Sequence, residues 1–144
     1  AVDTPTEAVT DADIICAATT SSTPVLHYQD LKSGVHINGV GSFQPSMQEI
    51  DSETIRNALV FVDSRESALS ETGDLTIPIQ EGIIGKNHLR AEIGELLENP
   101  SLGRNTPDEI TFFKSCGVAV QDVVAAGMAL EQAKKHNLGR IIRM

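Results

Sequence analysis

Three short segments of the chain carry residue types that could bind a polar ligand. Five hydroxyl side chains stand in a row at residues 19–23, residues 39–42 read Gly-Val-Gly-Ser, and residues 114–117 read Lys-Ser-Cys-Gly. Hydroxyl groups both donate and accept hydrogen bonds, and glycine lets a backbone approach another surface closely. Each segment directly follows or ends a short apolar run, so this recognition chemistry would lie where predicted strands end.

Each segment also has an ordinary structural interpretation, and spacing alone leaves the alternatives open. The hydroxyl run is typical of a polar turn, and two glycines one residue apart are typical of a tight turn. The glycine segment is weak as a phosphate loop because Gln44 stands where G-x-G-x-x-G requires glycine. Ser115 could cap the helix that follows, which spacing favours, or the N-terminus of that helix could bind a carboxylate, phosphate or carboxamide.

Strand and helix signals alternate along the chain, and these elements must position the three segments. The predicted strands are short, β-branched or aromatic, and apolar on both faces, as in parallel sheets covered on both sides. They cover residues 14–19, 35–40, 59–63 and 110–114. The predicted helices cover residues 7–11, 52–58 after Asp51, 65–71 between Ser64 and Gly73, 86–98 and 117–136. This alternation predicts an α/β fold, in which ligands bind at the carboxyl ends of the strands.

Two of the predicted helices have distinctive patterns. Residues 86–98 form the clearest amphipathic helix, with leucine and isoleucine on one face and charged residues on the other. The first half of residues 117–136 has few strongly polar side chains, which predicts a helix buried on nearly every side. Residues 138–144 are expected to form a final extended segment.

Composition excludes several classes of protein. A net charge of −9 with scattered basic residues argues against nucleic-acid binding, which needs clustered Lys and Arg. The apolar runs are far too short to cross a bilayer, and no basic, apolar leader opens the chain, so a cytoplasmic protein without membrane contact is expected. The chain opens at Ala1 rather than Met, which suits a domain, a fragment or a processed chain.

No metal centre or catalytic pair is predicted. Cys16 and Cys116 stand far apart in the sequence and are expected to be small buried side chains. The histidines stand alone, without a carboxylate at metal-ligand spacing, and are expected at the surface or hydrogen-bonded in the core. The acidic residues at 49–53 are interpreted as a charge cluster at a helix start rather than as catalytic carboxylates.

Four segments, in order along the chain, carry a family resemblance. They are Ala12-Asp13-Ile14-Ile15-Cys16-Ala17-Ala18-Thr19-Thr20, His36-Ile37-Asn38-Gly39-Val40-Gly41-Ser42, Val62-Asp63-Ser64-Arg65-Glu66-Ser67-Ala68-Leu69 and Phe113-Lys114-Ser115-Cys116-Gly117-Val118-Ala119-Val120-Gln121-Asp122. On these motifs the chain resembles the ornithine cyclodeaminase/mu-crystallin family, which includes archaeal alanine dehydrogenases and cyclic-imine reductases. The resemblance implies the second half of a Rossmann-type parallel sheet with flanking helices and a long C-terminal helix. Residues 1–116 would be a partial NAD(P)-binding domain, and residues 117–144 a helix and tail returning to a dimerisation and substrate domain.

The resemblance also implies a set of site residues. The side of the nucleotide, NAD or NADP, would be lined by Thr19, Thr20, Ser21, Val40, Gly41 and Ser42. Ser115 would contact the nicotinamide end, and the substrate would lie close to Cys116 and Gly117. The family's pyrophosphate loop, and the Arg and Lys that bind the substrate carboxylate, would precede Ala1. A chain with these ends would bind a dinucleotide poorly and catalyse nothing by itself.

Phe43 stands where cyclodeaminases of the family carry a catalytic Asp, so no catalytic residue is assigned. Closing ornithine into a ring needs that acid–base group, whereas reducing an imine mainly needs a positioned hydride and a proton from another source. The resemblance therefore favours part of an NAD(P)H-dependent oxidoreductase of small cyclic imino or amino acids, homodimeric at full length. An ornithine cyclodeaminase that uses bound NAD and a non-catalytic binding protein are the alternatives.

Overall fold

The computed structural model of the chain describes residues 1–140 and 142. Within them, one parallel sheet of five strands has the order β1-β2-β5-β3-β4. The strands are β1 (Ile14–Ala17), β2 (His36–Gly39), β3 (Leu59–Val62), β4 (Leu89–Glu92) and β5 (Thr111–Lys114). The helices are α1 (Pro5–Val9), α2 (Ser52–Asn57), α3 (Arg65–Glu71), α4 (Gly73–Gln80), α5 (Ile93–Glu98) and α6 (Ala119–Lys135). The predicted α/β fold with a parallel sheet is confirmed, although β4 and α4 are absent from the prediction.

The core of the fold lies between one face of the sheet and the helices that pack against it. Side chains alternate along β1, so that Ile15 is buried while Ile14 is 66% exposed. The same buried cluster includes Ile37, Val60 and Phe112 from the strands and Ile55, Ala68 and Leu75 from α2, α3 and α4. The expectation that every strand is covered on both faces is wrong for β1, because its second face is open within the described residues.

Two helix starts follow the predicted capping residues. The Asp51 side chain accepts a backbone N–H at the start of α2, and the Ser64 side chain does the same at the start of α3. Gly73 begins α4 rather than ending α3 as predicted. A Cβ at this position would lie 2.1 Å from the Met47 carbonyl oxygen, so glycine allows the start of α4 to pack against the neighbouring loop.

The predicted helix over residues 86–98 is wrong in its first half. A 3-10 turn opens the segment, β4 follows, and only α5 is helical. Leu89 and Ala91 are both buried, which is the two-residue period of a strand, and β4 pairs with β3. Glu92, the last residue of β4, is the N-cap residue of α5 and forms a capping box with Glu95. The apolar spacing therefore belongs to a strand followed by a helix rather than to one long helix.

The long C-terminal helix is confirmed as α6, but its predicted burial is wrong. None of its residues is buried, and Val123 is 70% exposed. α6 makes no extensive contact with any described strand or helix, so its apolar residues face solvent in this chain.

None of the helices in the described residues is long and apolar enough to cross a membrane. Of the predicted final segment, residues 141, 143 and 144 lie outside the described residues.

Candidate functional site

The carboxyl ends of the neighbouring strands β1, β2 and β5 meet at one edge of the sheet, named here the carboxyl edge. Ala17 pairs with Gly39, and Gly39 pairs with Lys114. Beyond the strands, the Val40 N–H donates to the Ala17 carbonyl at 2.8 Å, and the Ser115 N–H donates to the Gly39 carbonyl at 3.0 Å. The three segments predicted to bind a ligand are therefore neighbours at the carboxyl edge.

Both glycines of residues 39–42 allow a close approach, as their spacing predicts. A Cβ on Gly39 would lie 2.6 Å from the Phe112 ring, and a Cβ on Gly41 would lie 2.1 Å from the Thr19 carbonyl oxygen. Neither position therefore accepts a larger residue unless the neighbour moves. The surfaces that these two glycines approach belong to the chain's own neighbouring strand and loop.

A buried carboxylate ties two of these loops together. Glu49 is fully buried, and its two oxygens accept hydrogen bonds from the Thr19 N–H and, at 3.0 Å, from the Ser42 N–H. The interpretation of residues 49–53 as a helix-start cluster is correct for Asp51 but wrong for Glu49. Nothing in the sequence distinguishes these two carboxylates, because the partners of Glu49 lie in other loops.

A second buried carboxylate supports the first. The Asp74 Oδ1 atom accepts the Glu49 N–H at 2.7 Å and the Ile50 N–H at 3.1 Å, while Oδ2 lies 3.6 Å from the Lys114 Nζ. Both members of this ion pair are fully buried. Burial raises the pKa of the Asp74 carboxyl, and the Lys114 ammonium opposes that rise. The sequence does not predict this pair, because Asp74 lies on the unpredicted helix α4.

The hydroxyl run forms a polar turn that leaves hydroxyl side chains at the carboxyl edge. The Thr19 Oγ1 atom accepts the Ser21 N–H at 3.1 Å, and the Ser21 hydroxyl donates to the Thr23 carbonyl at 2.6 Å. Thr20 is exposed and Ser21 is half-buried. Val40, from the adjacent loop, is 51% exposed. The polar-turn interpretation is thus confirmed, and the turn keeps polar groups beside an exposed apolar side chain.

Ser42 and Phe43 differ sharply in exposure although they are adjacent. Ser42 is fully buried, donates its hydroxyl to the Met47 carbonyl at 2.7 Å, and lies 2.8 Å from the Thr72 hydroxyl. Its side chain therefore stabilises the loop and is not presented to a ligand. Phe43 is 57% exposed and carries no group that could accept or donate a proton.

Asp63 organises the third loop. Its Oδ2 atom accepts hydrogen bonds from the Ser115 hydroxyl at 3.1 Å, the Cys116 N–H at 2.9 Å and the Gly117 N–H at 2.6 Å. Gly117 has a φ of +83°, in the left-handed region that favours glycine. The capping alternative for Ser115 is wrong, because Val118 is the N-cap residue of α6 and makes no side-chain capping bond.

The two cysteines have different environments, and both are free thiols. Cys116 is half-buried, and burial, assisted by the Asp63 carboxylate, raises the pKa of its thiol to about 11. The Cys116 thiol is therefore protonated at neutral pH. Cys16 is exposed on the open face of β1, so the expected burial is wrong for this residue.

The histidines and acidic residues form no metal site within the described part of the chain. The His36 Nδ1 atom lies 2.7 Å from the Thr111 hydroxyl, and the His88 Nε2 atom lies 2.7 Å from the Ile55 carbonyl oxygen. These histidines are hydrogen-bonded to neighbouring elements of the fold, as predicted.

The parallel sheet, with helices between its strands and its loops meeting at the carboxyl edge, defines a Rossmann-like α/β domain. The sequence profile of the ornithine cyclodeaminase/mu-crystallin family matches residues 1–137. The chain belongs to this family, as its motifs predict.

Relatives with known names or structures are similar to the chain over nearly its whole length. A Δ(1)-pyrroline-2-carboxylate reductase of Bacillus cereus is 47% identical over 137 residues, which cover 94% of this chain and 42% of the relative. The Δ(1)-pyrroline-2-carboxylate reductase of Thermococcus litoralis, solved with NADH and L-proline, is 40% identical with a TM-score of 0.91 and covers 98% of this chain and 44% of that one. An archaeal alanine dehydrogenase dimer with bound NAD is 34% identical with a TM-score of 0.86, and the match covers 100% of this chain and 44% of that one. The chain therefore spans less than half the length of these relatives.

Proposed function

We propose that the chain forms the later part of the NAD(P)-binding domain of a reductase that acts on small cyclic imino acids. The observation that carries this proposal is the meeting of the three predicted ligand segments at the carboxyl edge of a parallel sheet. Ligands of open α/β sheets bind at that edge. The relatives named as Δ(1)-pyrroline-2-carboxylate reductases supply the class of substrate.

In this proposal the first two loops form one wall of the nucleotide site. The exposed side chains of Thr20 and Val40, with the turn of Thr19 and Ser21, would contact the ribose and nicotinamide half of the molecule through hydroxyl groups and apolar surface. Gly41 and Ser42 would contribute backbone only, because Gly41 has no side chain and the Ser42 hydroxyl is buried.

The third loop would hold the nicotinamide end and the substrate. The Ser115 hydroxyl donates to Asp63, so its lone pairs remain able to accept an N–H from the nicotinamide carboxamide. Cys116 and Gly117 would lie beside the substrate, where the protonated Cys116 thiol acts as a small neutral side chain. The bound nucleotide would supply the hydride, and the chain's own residues would orient it. The proton source is not assigned to any residue of this chain.

A lyase of the cyclodeaminase type is the second candidate, and Phe43 argues against it. This side chain is exposed at the carboxyl edge and has no acid–base group at the position where the family resemblance places a catalytic Asp. Homodimer formation is part of the proposal as well, and its support is the exposed apolar surface of α6. A cytoplasmic location stays a prediction.

The protein expressed from its complete reading frame tests the reaction. We expect it to bind NADH or NADPH in isothermal titration calorimetry and to oxidise the nucleotide when Δ(1)-pyrroline-2-carboxylate is added. Ornithine should release no ammonia in a parallel assay. Nucleotide binding without turnover of any cyclic imino acid would indicate a non-catalytic binding protein. Ammonia release from ornithine would indicate a lyase of the cyclodeaminase type. Either result would contradict the proposed reductase.

A further inference from the structure

The two loops that line the proposed nucleotide wall share a single buried anchor. The Glu49 carboxylate accepts one N–H from Thr19 in the first loop and one from Ser42 in the second. Thr19 is exposed, whereas Glu49 is fully buried. A buried side chain thus holds an exposed part of the first loop by a hydrogen bond.

The anchor is itself fixed by the rest of the buried network. Asp74 Oδ1 accepts the backbone N–H groups of Glu49 and Ile50, and Asp74 Oδ2 faces Lys114 at 3.6 Å. Lys114 ends β5 and immediately precedes Ser115. A continuous path of buried polar contacts therefore runs from the third loop of the site to the first two.

The geometry requires a carboxylate at position 49. Two acceptor oxygens on one rigid group meet two N–H donors from different loops, and a glutamine would face one of those donors with its own NH₂ group. The gap between the loops is narrow as well, because a Cβ on Gly41 would lie 2.5 Å from the nearer Glu49 oxygen. Glu49 therefore joins the two loops through its side chain, in addition to the backbone hydrogen bonds that Val40 and Gly41 donate to the Ala17 carbonyl.

We propose that Glu49 is a positioning residue for nucleotide binding, which it supports by fixing residues 19–21 against residues 40–42 at the separation that the nucleotide needs. The inference rests on the proposed nucleotide site. Glu49 would touch neither nucleotide nor substrate, since it is fully buried behind the loops.

The test substitutes Glu49→Gln in the protein expressed from its complete reading frame. We expect amide hydrogen exchange to become about tenfold faster at Thr19 or at Ser42, whichever N–H then faces the glutamine NH₂ group and loses its acceptor. Exchange at Ile37 and Phe112, in the core strands β2 and β5, should change only with the global stability. The Kd for NADH should rise about fivefold to tenfold.

Two further variants separate positioning from general loss of stability. Asp51→Ala removes the N-cap of α2 and the acceptor of the Tyr28 N–H, and neither bond involves Thr19 or Ser42. This variant should lower the melting temperature without affecting exchange at Thr19 and Ser42 or the Kd for NADH. Glu49→Asp keeps both oxygens but withdraws them by one methylene, and we expect intermediate exchange and intermediate affinity.

The outcomes distinguish this inference from the proposed function. If the unsubstituted protein binds NADH and Glu49→Gln binds it equally well, the positioning role is overturned and the nucleotide site stands. If exchange at Thr19 and Ser42 is unchanged in Glu49→Gln, the anchor itself is overturned. If the unsubstituted protein binds neither NADH nor NADPH, the proposed function fails, and the nucleotide role of Glu49 fails with it.

Discussion

Lys114 and Asp74 form an ion pair in a part of the fold that water does not reach. Their charged atoms are 3.6 Å apart, and both side chains are fully buried. Removing one partner leaves the other charge buried and unpaired, which costs about 3–5 kcal/mol. We expect Lys114→Met to lower the free energy of unfolding by about that amount in urea titrations followed by circular dichroism.

A double-mutant cycle checks that the loss belongs to the pair. The variant with both Lys114→Met and Asp74→Asn should be less destabilised than the sum of the two single variants. Lys32→Met removes an exposed pair with Asp13 and serves as the matched control, with an unfolding midpoint close to that of the unsubstituted protein. Strictly additive effects of the two buried substitutions would contradict the pairing.

The Cys116 thiol offers a pH-dependent measurement at the site. Only the thiolate is alkylated, and the raised pKa of about 11 keeps the thiolate rare near neutral pH. In a Cys16→Ser background, labelling of Cys116 by iodoacetamide should be slow at neutral pH and should accelerate as pH rises toward about 11. Mass spectrometry gives the rate. If the labelling rate stops rising at a pH below 9.0, the ordinary pKa of a thiol, the raised pKa and the burial that causes it would be contradicted.

Single residues show where prediction from sequence succeeds and where it stops. Ser64 and Asp51 are predictable as caps because a cap depends on residues only a few positions away. Glu49 and Asp63 are not, because their partners come from separate strands and loops that only the folded sheet brings together. The meeting of the three loops at the carboxyl edge was therefore predictable, but the carboxylates that organise those loops were not.

At the scale of the elements, the errors have a common physical cause. In residues 86–98, apolar side chains three and four positions apart satisfy a helical pattern, yet the same spacing arises when a short strand runs directly into a helix. Burial of Leu89 and Ala91 beside β3 decides between the two. The prediction that Gly73 ends α3 is wrong for a similar reason. Glycine follows the end of many helices, but Gly73 begins α4, where it packs against Met47.

The exposed face of α6 provides a prediction at this scale. Val123 is 70% exposed, so Val123→Gln should change the free energy of unfolding of the monomeric protein by less than about 0.5 kcal/mol. Light scattering on the same variant tests the proposed homodimer, which should weaken if the α6 surface contributes to it. Leu75→Ala, at a fully buried position on α4, is the contrasting control and should cost about 2–5 kcal/mol.

At the scale of the whole molecule, the alternation of strand and helix signals was enough to predict an α/β fold with a parallel sheet. The order of the strands was not predictable, because the spacing of apolar residues does not say which strands become neighbours. In the structure β5, the last of the five described strands along the chain, lies between β2 and β3. That position places Lys114 and Ser115 at the centre of the carboxyl edge.

The central place of β5 also governs how the chain can be assembled during synthesis. Within the described residues, β1 pairs only with β2, β4 pairs only with β3, and β5 alone joins the two pairs. Until Thr111–Lys114 have left the ribosome, the four earlier strands can form only these two native pairs, and the inner edges of β2 and β3 lack their native partner. Before β5 is synthesised, such unpaired edges can form wrong strand pairs and aggregate. The last of the five described strands to be made is thus the one that converts two separate half-sheets into a single cooperative unit.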